Sequence, residues 1–202
     1  MQTLRFTTLL VFLIVASFTS QASLILNGSF EQNRLSQHNW SVFHSNQVQG
    51  WQGSNIEIWH QLNNVSAADG LQHAELNAHG HNVGDWSIFQ PFATVAGLRY
   101  DLSFAYRARA SENEAFRVSV ADFSQIIDDH KTTHWSWFKT TFIATEPTTT
   151  LRFTSLNTGT VGNFLDDVRV LASPTSQAVS SGPMFPILLA AFAVLWLRRR
   201  HH

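Results

Sequence analysis

Tyr100–Arg109 reads YDLSFAYRAR, and its alternation decides the fold class. Tyr100, Leu102, Phe104 and Tyr106 fall on one side of an extended chain, and Asp101, Ser103, Ala105, Arg107 and Arg109 on the other. A period of two marks a strand with one buried face, because successive strand side chains point to opposite sides. Other stretches repeat it. Phe116–Val120 sends Phe116, Val118 and Val120 inward and Arg117 and Ser119 outward; Phe138–Ile143, Leu151–Leu156 and Phe164–Leu171 follow the same scheme. No long 3.6-residue period competes. Gly70, Gly97, Gly159, Gly162 and Pro147 punctuate the runs at hairpin intervals. The pattern predicts an all-β domain, a two-sheet antiparallel β-sandwich of the jelly-roll kind.

Outside that domain the two ends read differently. In Met1–Ala22, Arg5 supplies a positive start, Thr7–Phe18 contains the apolar run LLVFLIVASF, and Ser20-Gln21-Ala22 places small residues at a cleavage site. This three-part layout predicts a secretory signal peptide, residues 1–22. At the other end a polar linker, 173–183, leads into MFPILLAAFAVLWL (Met184–Leu197) and then Arg198, Arg199 and Arg200. Fourteen apolar residues at ~1.5 Å each reach only ~21 Å, short of a ~30 Å hydrocarbon core. The arginines resist crossing a bilayer, so residues 184–202 predict a short membrane helix with its basic end on the cytoplasmic side. This tail resembles the PEP-CTERM-type sorting signals of exported bacterial proteins, with Ser181-Gly182-Pro183 where a Pro-Glu-Pro would stand. The resemblance implies a membrane sorting protease or transpeptidase as a partner. It also implies residence on the periplasmic side of the inner membrane, then at the cell surface or in the extracellular matrix.

The domain between them, residues 23–172, carries nine Lys/Arg against fourteen Asp/Glu, a balance of −5. Nucleic acid, which needs the opposite sign, is excluded as a partner class. The chain has no cysteine, so neither disulfides nor a thiol nucleophile contribute.

A series of landmarks runs along the domain: LILNGSFE (Leu24–Glu31), VQGW (Val48–Trp51), IEIW (Ile56–Trp59), ADGLQHAELNAHG (Ala68–Gly80), SIFQPFATVAGLRYDLSFAYRAR (Ser87–Arg109) and GNFLDDVRV (Gly162–Val170). In this order the series resembles the galactose-binding-like jelly rolls, which include carbohydrate-binding modules. His130–Trp137, HKTTHWSW, has no counterpart in it. The resemblance implies a structural calcium held by Glu31 with Asp166 or Asp167. The parity of Asp166 with Phe164, Val168 and Val170 would turn it inward, where a carboxylate needs a partner; calcium takes 6–8 oxygens. The alternative is a carboxylate that caps a strand or meets an arginine.

Sugar recognition calls for aromatic rings and for charged or amide groups that bridge hydroxyls. In HAELNA, Ala74 and Leu76 point inward, which leaves His73, Glu75 and Asn77 on the open face; Arg107 and Arg109 share outward parity. With Trp59 these form the expected ligand site; Trp86, Trp135 and Trp137 are further platforms or core rings. His73, His79 and His81 form a cluster that could take zinc or copper, against the plainer reading of solvated loop histidines. Glu112 and Glu114, a conceivable glycosidase pair, sit in ASENEA, where acidic residues are normally solvated. No Gly-x-Ser-x-Gly elbow occurs. The sequence thus predicts a non-catalytic, lectin-like module for polysaccharide. The alternatives are a structural matrix or adhesin-like protein without a sugar pocket, and a small glycan hydrolase.

Overall fold

A computed structural model describes residues 21–78 and 86–173; the expected signal peptide up to Ser20, most of the expected linker, the expected membrane segment, His79 and His81 lie outside the described residues. Eleven strands follow in chain order: β1 Asn39–Phe43, β2 Gln52–Gly53, β3 Ile56–His60, β4 Gln72–Glu75, β5 Ser87–Ala93, β6 Arg99–Arg107, β7 Phe116–Val120, β8 Phe123–Ile127, β9 Ser136–Ile143, β10 Thr148–Ser155 and β11 Phe164–Ala172. They form two antiparallel sheets, ordered β1-β3-β4-β11-β6-β9 and β2-β5-β10-β7-β8. The fold is an all-β jelly-roll sandwich, as the alternation predicts.

The core lies between the sheets and follows the parity of the sequence. Tyr100, Leu102, Phe104 and Tyr106 of β6 face Phe116, Val118 and Val120 of β7 and Leu151 and Phe153 of β10. Phe104 lies at the centre, stacked on Phe138 at 4.9 Å and edge-on to Phe153 at 5.0 Å between ring centres. Each such ring buries roughly 2 kcal/mol of apolar surface energy. At the closed end Phe30 stacks on Trp51, whose indole N–H donates to the Asn27 carbonyl.

Parity fails in one strand, with consequences for the site. Phe164 and Leu165 pair with Arg107 and Tyr106 of β6, but the register shifts between Asp166 and Arg169. Asp167 takes a left-handed φ of 47°, so β11 carries a bulge. Before the bulge Leu165 faces the core and Phe164 and Asp166 face away; after it Val168 and Val170 face the core. Phe164 and Asp166 therefore do not share the face of Val168 and Val170, a correction to the uninterrupted alternation. Beyond the bulge the chain start lies against β11: the N–H of Val168 donates to the Gly28 carbonyl and that of Leu24 to the Val170 carbonyl. A Cβ on Gly28 would lie 2.0 Å from the Val168 oxygen, so only glycine permits this approach.

Candidate functional site

The far side of the six-stranded sheet is where the expected site residues emerge. Register places Trp40, Trp59 and His73 in one row across β1, β3 and β4, and Glu57, Glu75, Phe164 and Arg107 in the next row across β3, β4, β11 and β6. This face is not open. Trp59, Phe164, Glu57, His73, Glu75 and Asp166 are all buried, because loops fold over it. From the segment the sequence could not place, Trp135 packs edge-on against His73 at 5.4 Å and donates its N–H to the Ser66 carbonyl. The same segment sends His130 to the end of the core, against Tyr106 and Phe116, and presents Trp137 half-exposed on β9.

Three of the six expected ligand residues do come together. Arg109 Nη1 donates to both carboxylate oxygens of Glu75, at 2.9 and 2.8 Å, and its guanidinium lies 4.6 Å over the Trp59 ring. Glu75 also accepts the Gly162 N–H. Burial pushes the Glu75 carboxyl up to about 8, against the pull of Arg109 and of that N–H. The Trp59 indole N–H donates to Glu57 at 2.7 Å. Ring, guanidinium and carboxylates fix one another, so Arg109 is oriented before any ligand arrives.

This group floors a cleft of about 390 Å³, lined by Trp40, Glu57, Trp59, Leu62, Asn63, Arg109, Thr160 and Val161. Its volume is at the lower end of the range for small-ligand sites. Trp40 is 42 % exposed, and the Arg109 side chain, about a third exposed, bonds through Nη1 to Glu75. Trp40, Asn63 and Thr160 escape a reading by parity, because two lie in loops and Trp40 sits in an edge strand without alternation.

The other expected residues serve elsewhere. His73 lies among Trp59, Phe164 and Trp135, with neither ring nitrogen hydrogen-bonded. Burial, and then Arg107, push it down to about 3, so it is a neutral part of the aromatic layer. Asn77 holds the loop opposite through the carbonyls of Asn157 and Gly159. Arg107 donates to the Thr132 carbonyl at 2.6 Å, tying down the loop that carries Trp135. Glu114 is not solvated. It is buried and accepts the backbone N–H groups of Arg109, Ala110 and Ser111, which caps the turn leading Arg109 into the cleft. Glu112 pairs at the surface with Lys131.

Glu31, Asp166 and Asp167, the residues expected to hold calcium, each have partners within the protein. Glu31 Oε1 accepts the N–H groups of Leu71 and Gln72, and Asp166 Oδ2 those of Ala68 and Asp69. The two carboxylates grip opposite halves of one loop, Ala68–Gln72, where Gly70 at φ 70° leaves no room for a Cβ beside Glu31. Asp166 also accepts the Asp167 N–H, and Asp167 pairs with Arg169. Among the described residues no three His, Cys, Asp or Glu converge as a metal donor set.

The family model described as a protein of unknown function, DUF642, matches residues 23–171. The chain belongs to the DUF642 family. In fold this DUF642 domain is similar to TmCBM61, solved in complex with beta-1,4-galactotriose. The TM-score is 0.52 at 15 % identity, over 75 % of this chain and 99 % of that one. It is likewise similar to a family 16 carbohydrate-binding module, with a TM-score of 0.52 at 14 % identity, over 73 % and 99 %. No curated protein matches the chain. At these identities the likeness concerns the fold, which is that of carbohydrate-binding modules.

Proposed function

We infer that this DUF642 domain is a non-catalytic carbohydrate-binding module, and that its saccharide occupies the cleft between Trp40 and Arg109. The observation that carries the reading is Arg109 locked between Trp59 and Glu75 beside the exposed Trp40 ring. A pyranose presents an apolar face and a rim of hydroxyls. Trp40 suits the face, and the remaining guanidinium N–H groups, the Asn63 amide and the Thr160 hydroxyl suit the rim. The similarity in fold to a module solved with beta-1,4-galactotriose favours a saccharide over other small ligands. Glu57 and Glu75 face each other across β3 and β4 but are buried and already bound to Trp59 and Arg109. They are poorly placed to attack or protonate a glycosidic bond, which favours binding over hydrolysis.

The signal at 1–22 and the basic tail at 184–202 complete this proposal: an exported protein that meets its polysaccharide at or beyond the cell envelope, after the tail is handled by a membrane sorting enzyme. The test is calorimetric titration of the full chain with a panel of neutral oligosaccharides, starting with β-1,4-galactotriose. Trp40→Ala should weaken binding of the recognised sugar about tenfold or more, the loss of a stacked ring, with the melting temperature unchanged. Equal affinity of Trp40→Ala and wild type removes the cleft from the reading, and release of shorter sugars on incubation replaces binding by hydrolysis.

A further inference from the structure

The far side of the five-stranded sheet has the opposite character. Register puts Arg117, Thr154 and Ser87 in one row across β7, β10 and β5, and Ser119, Arg152 and Phe89 in the next. Arg117 and Arg152 are diagonal neighbours on adjacent strands, about 7–8 Å apart at the backbone. Neither forms an ion pair among the described residues; Arg152 lies 4.2 Å over the Phe89 ring and donates to Ser87 Oγ. The outward positions of this sheet hold no aspartate or glutamate, although the domain as a whole is acidic. The acids nearest along β7 are accounted for: Glu114 is spent on backbone N–H groups, and Asp122 lies in the turn at the other end of the strand.

Two like charges side by side, with no counter-charge among the described residues, raise the potential of a surface, and an anion relieves it. The surface also has relief. A cleft of about 420 Å³ opens at the end of the sheet, lined by Arg117, Thr154, Ser155, Asn157, Thr158 and the Trp86 ring among others. The exposed Arg117 guanidinium and Thr158 hydroxyl, with the half-buried Thr154 and Asn157 between them, form a set that suits a sugar bearing a carboxylate. Arg takes the carboxylate in a two-pronged grip, and the neutral donors and acceptors take the hydroxyls.

We propose that this face is a second saccharide site, distinct from the Trp40 cleft, which takes an anionic, uronate-bearing polysaccharide through Arg117 and Arg152. Charge complementarity singles out this occupant: a neutral glycan would leave Arg117 and Arg152 without an opposite charge among the described residues. The lining residues of this site are not those of the Trp40 cleft, and the site stands whether or not that cleft binds sugar.

The experiment is affinity electrophoresis and calorimetry of the full chain with polygalacturonate, its fully methyl-esterified form and dextran sulfate, at low and high salt. Wild type should hold polygalacturonate at low salt, lose it as salt screens the charges, and ignore the esterified polymer. Arg117→Gln should lower the affinity about tenfold or more, with an unchanged melting temperature, and should bind the neutral oligosaccharides of the first site as wild type does. Trp40→Ala should leave polygalacturonate binding intact. Three results overturn the proposal: equal polygalacturonate binding by Arg117→Gln and wild type, equal binding of the esterified polymer, or dextran sulfate binding as tightly as polygalacturonate, which would mean unselective attraction.

Discussion

The two outer faces of this sandwich are built from the same alternation but end in opposite states. On the six-stranded sheet the outward residues of β3, β4 and β11 include Trp59, Phe164, Glu57, Glu75 and Asp166, and these are buried under loops. On the five-stranded sheet the outward residues are hydroxyl-bearing, basic or apolar, with no acid among them, and Arg117, Thr148 and Thr150 remain exposed. The difference shows where polar residues do structural work. A carboxylate under a loop must be answered by N–H groups or a guanidinium, and Glu75, Asp166 and Glu114 all are. A hydroxyl in water needs no such answer and stays available.

The largest expected effect tests that contrast directly. Glu75→Ala strands Arg109 against Trp59 and frees the Gly162 N–H. Breaking a buried pair of this kind should cost about 3 kcal/mol, or roughly 6–12 °C of melting temperature for a domain near this size. Arg117→Ala on the open face should stay within about 0.5 kcal/mol of wild type. Thermal melts of the two variants decide it; equal losses would mean that the faces do not differ as described.

A second expectation follows from the titration of the same carboxyl. Burial leaves Glu75 near 8 in the folded chain, against 4.5 when free, so the folded state holds this proton more tightly than the unfolded one. The stability it contributes is fully present below the free value and is lost as the pH rises through the folded one. Above about pH 6.5, where the buried His73 and His130 no longer add an opposing slope, the melting temperature should therefore fall up to about pH 9. Glu75→Gln, which carries no titrating proton, should make that fall shallower, with Asp166, pushed up to about 8 by burial, supplying the rest. A wild-type stability that climbs over this range, or a variant with the same slope, would show that other groups dominate.

The sequence discloses the inner faces of β6, β7 and β10, because the core rewards strict alternation: Phe104, Val118 and Leu151 are buried where parity puts them. It does not disclose that the outer face of one sheet is covered. Gln72–Glu75 holds three polar residues around Ala74, yet all four are buried, and nothing local announces the loop bearing Trp135 that lies above. The bulge at Asp167 is hidden for a related reason: two aspartates before Val168 read as an ordinary strand, and only a left-handed φ reveals the slip. Of the expected ligand residues, Trp59, Glu75 and Arg109 are gathered at the cleft, whereas His73, Asn77 and Arg107 support loops or fill the aromatic layer. Outward parity does not separate a residue that meets a ligand from one that holds a loop.

The smallest expected effect concerns the carboxylates near the chain ends. Resemblance suggested calcium between Glu31 and the Asp166-Asp167 pair, but each carboxylate has another partner. Glu31 and Asp166 accept four N–H groups of the Ala68–Gln72 loop between them, and Asp167 pairs with Arg169. A carboxylate that already has two amide donors on one oxygen gains less from a cation, which would also need several further oxygens at 2.3–2.6 Å. Chelation of the purified full chain should therefore shift the melting temperature by less than about 1 °C. A calcium ion at 100 times its dissociation constant would instead contribute ~2.7 kcal/mol, several degrees here. Glu31→Ala separates the accounts from the other direction. It releases the Leu71 and Gln72 N–H groups, so it should lower the melting temperature by the same amount with and without chelator. If the wild type alone loses stability to chelator, and Glu31→Ala is insensitive to it, the loop is held by a cation and the amide contacts are secondary.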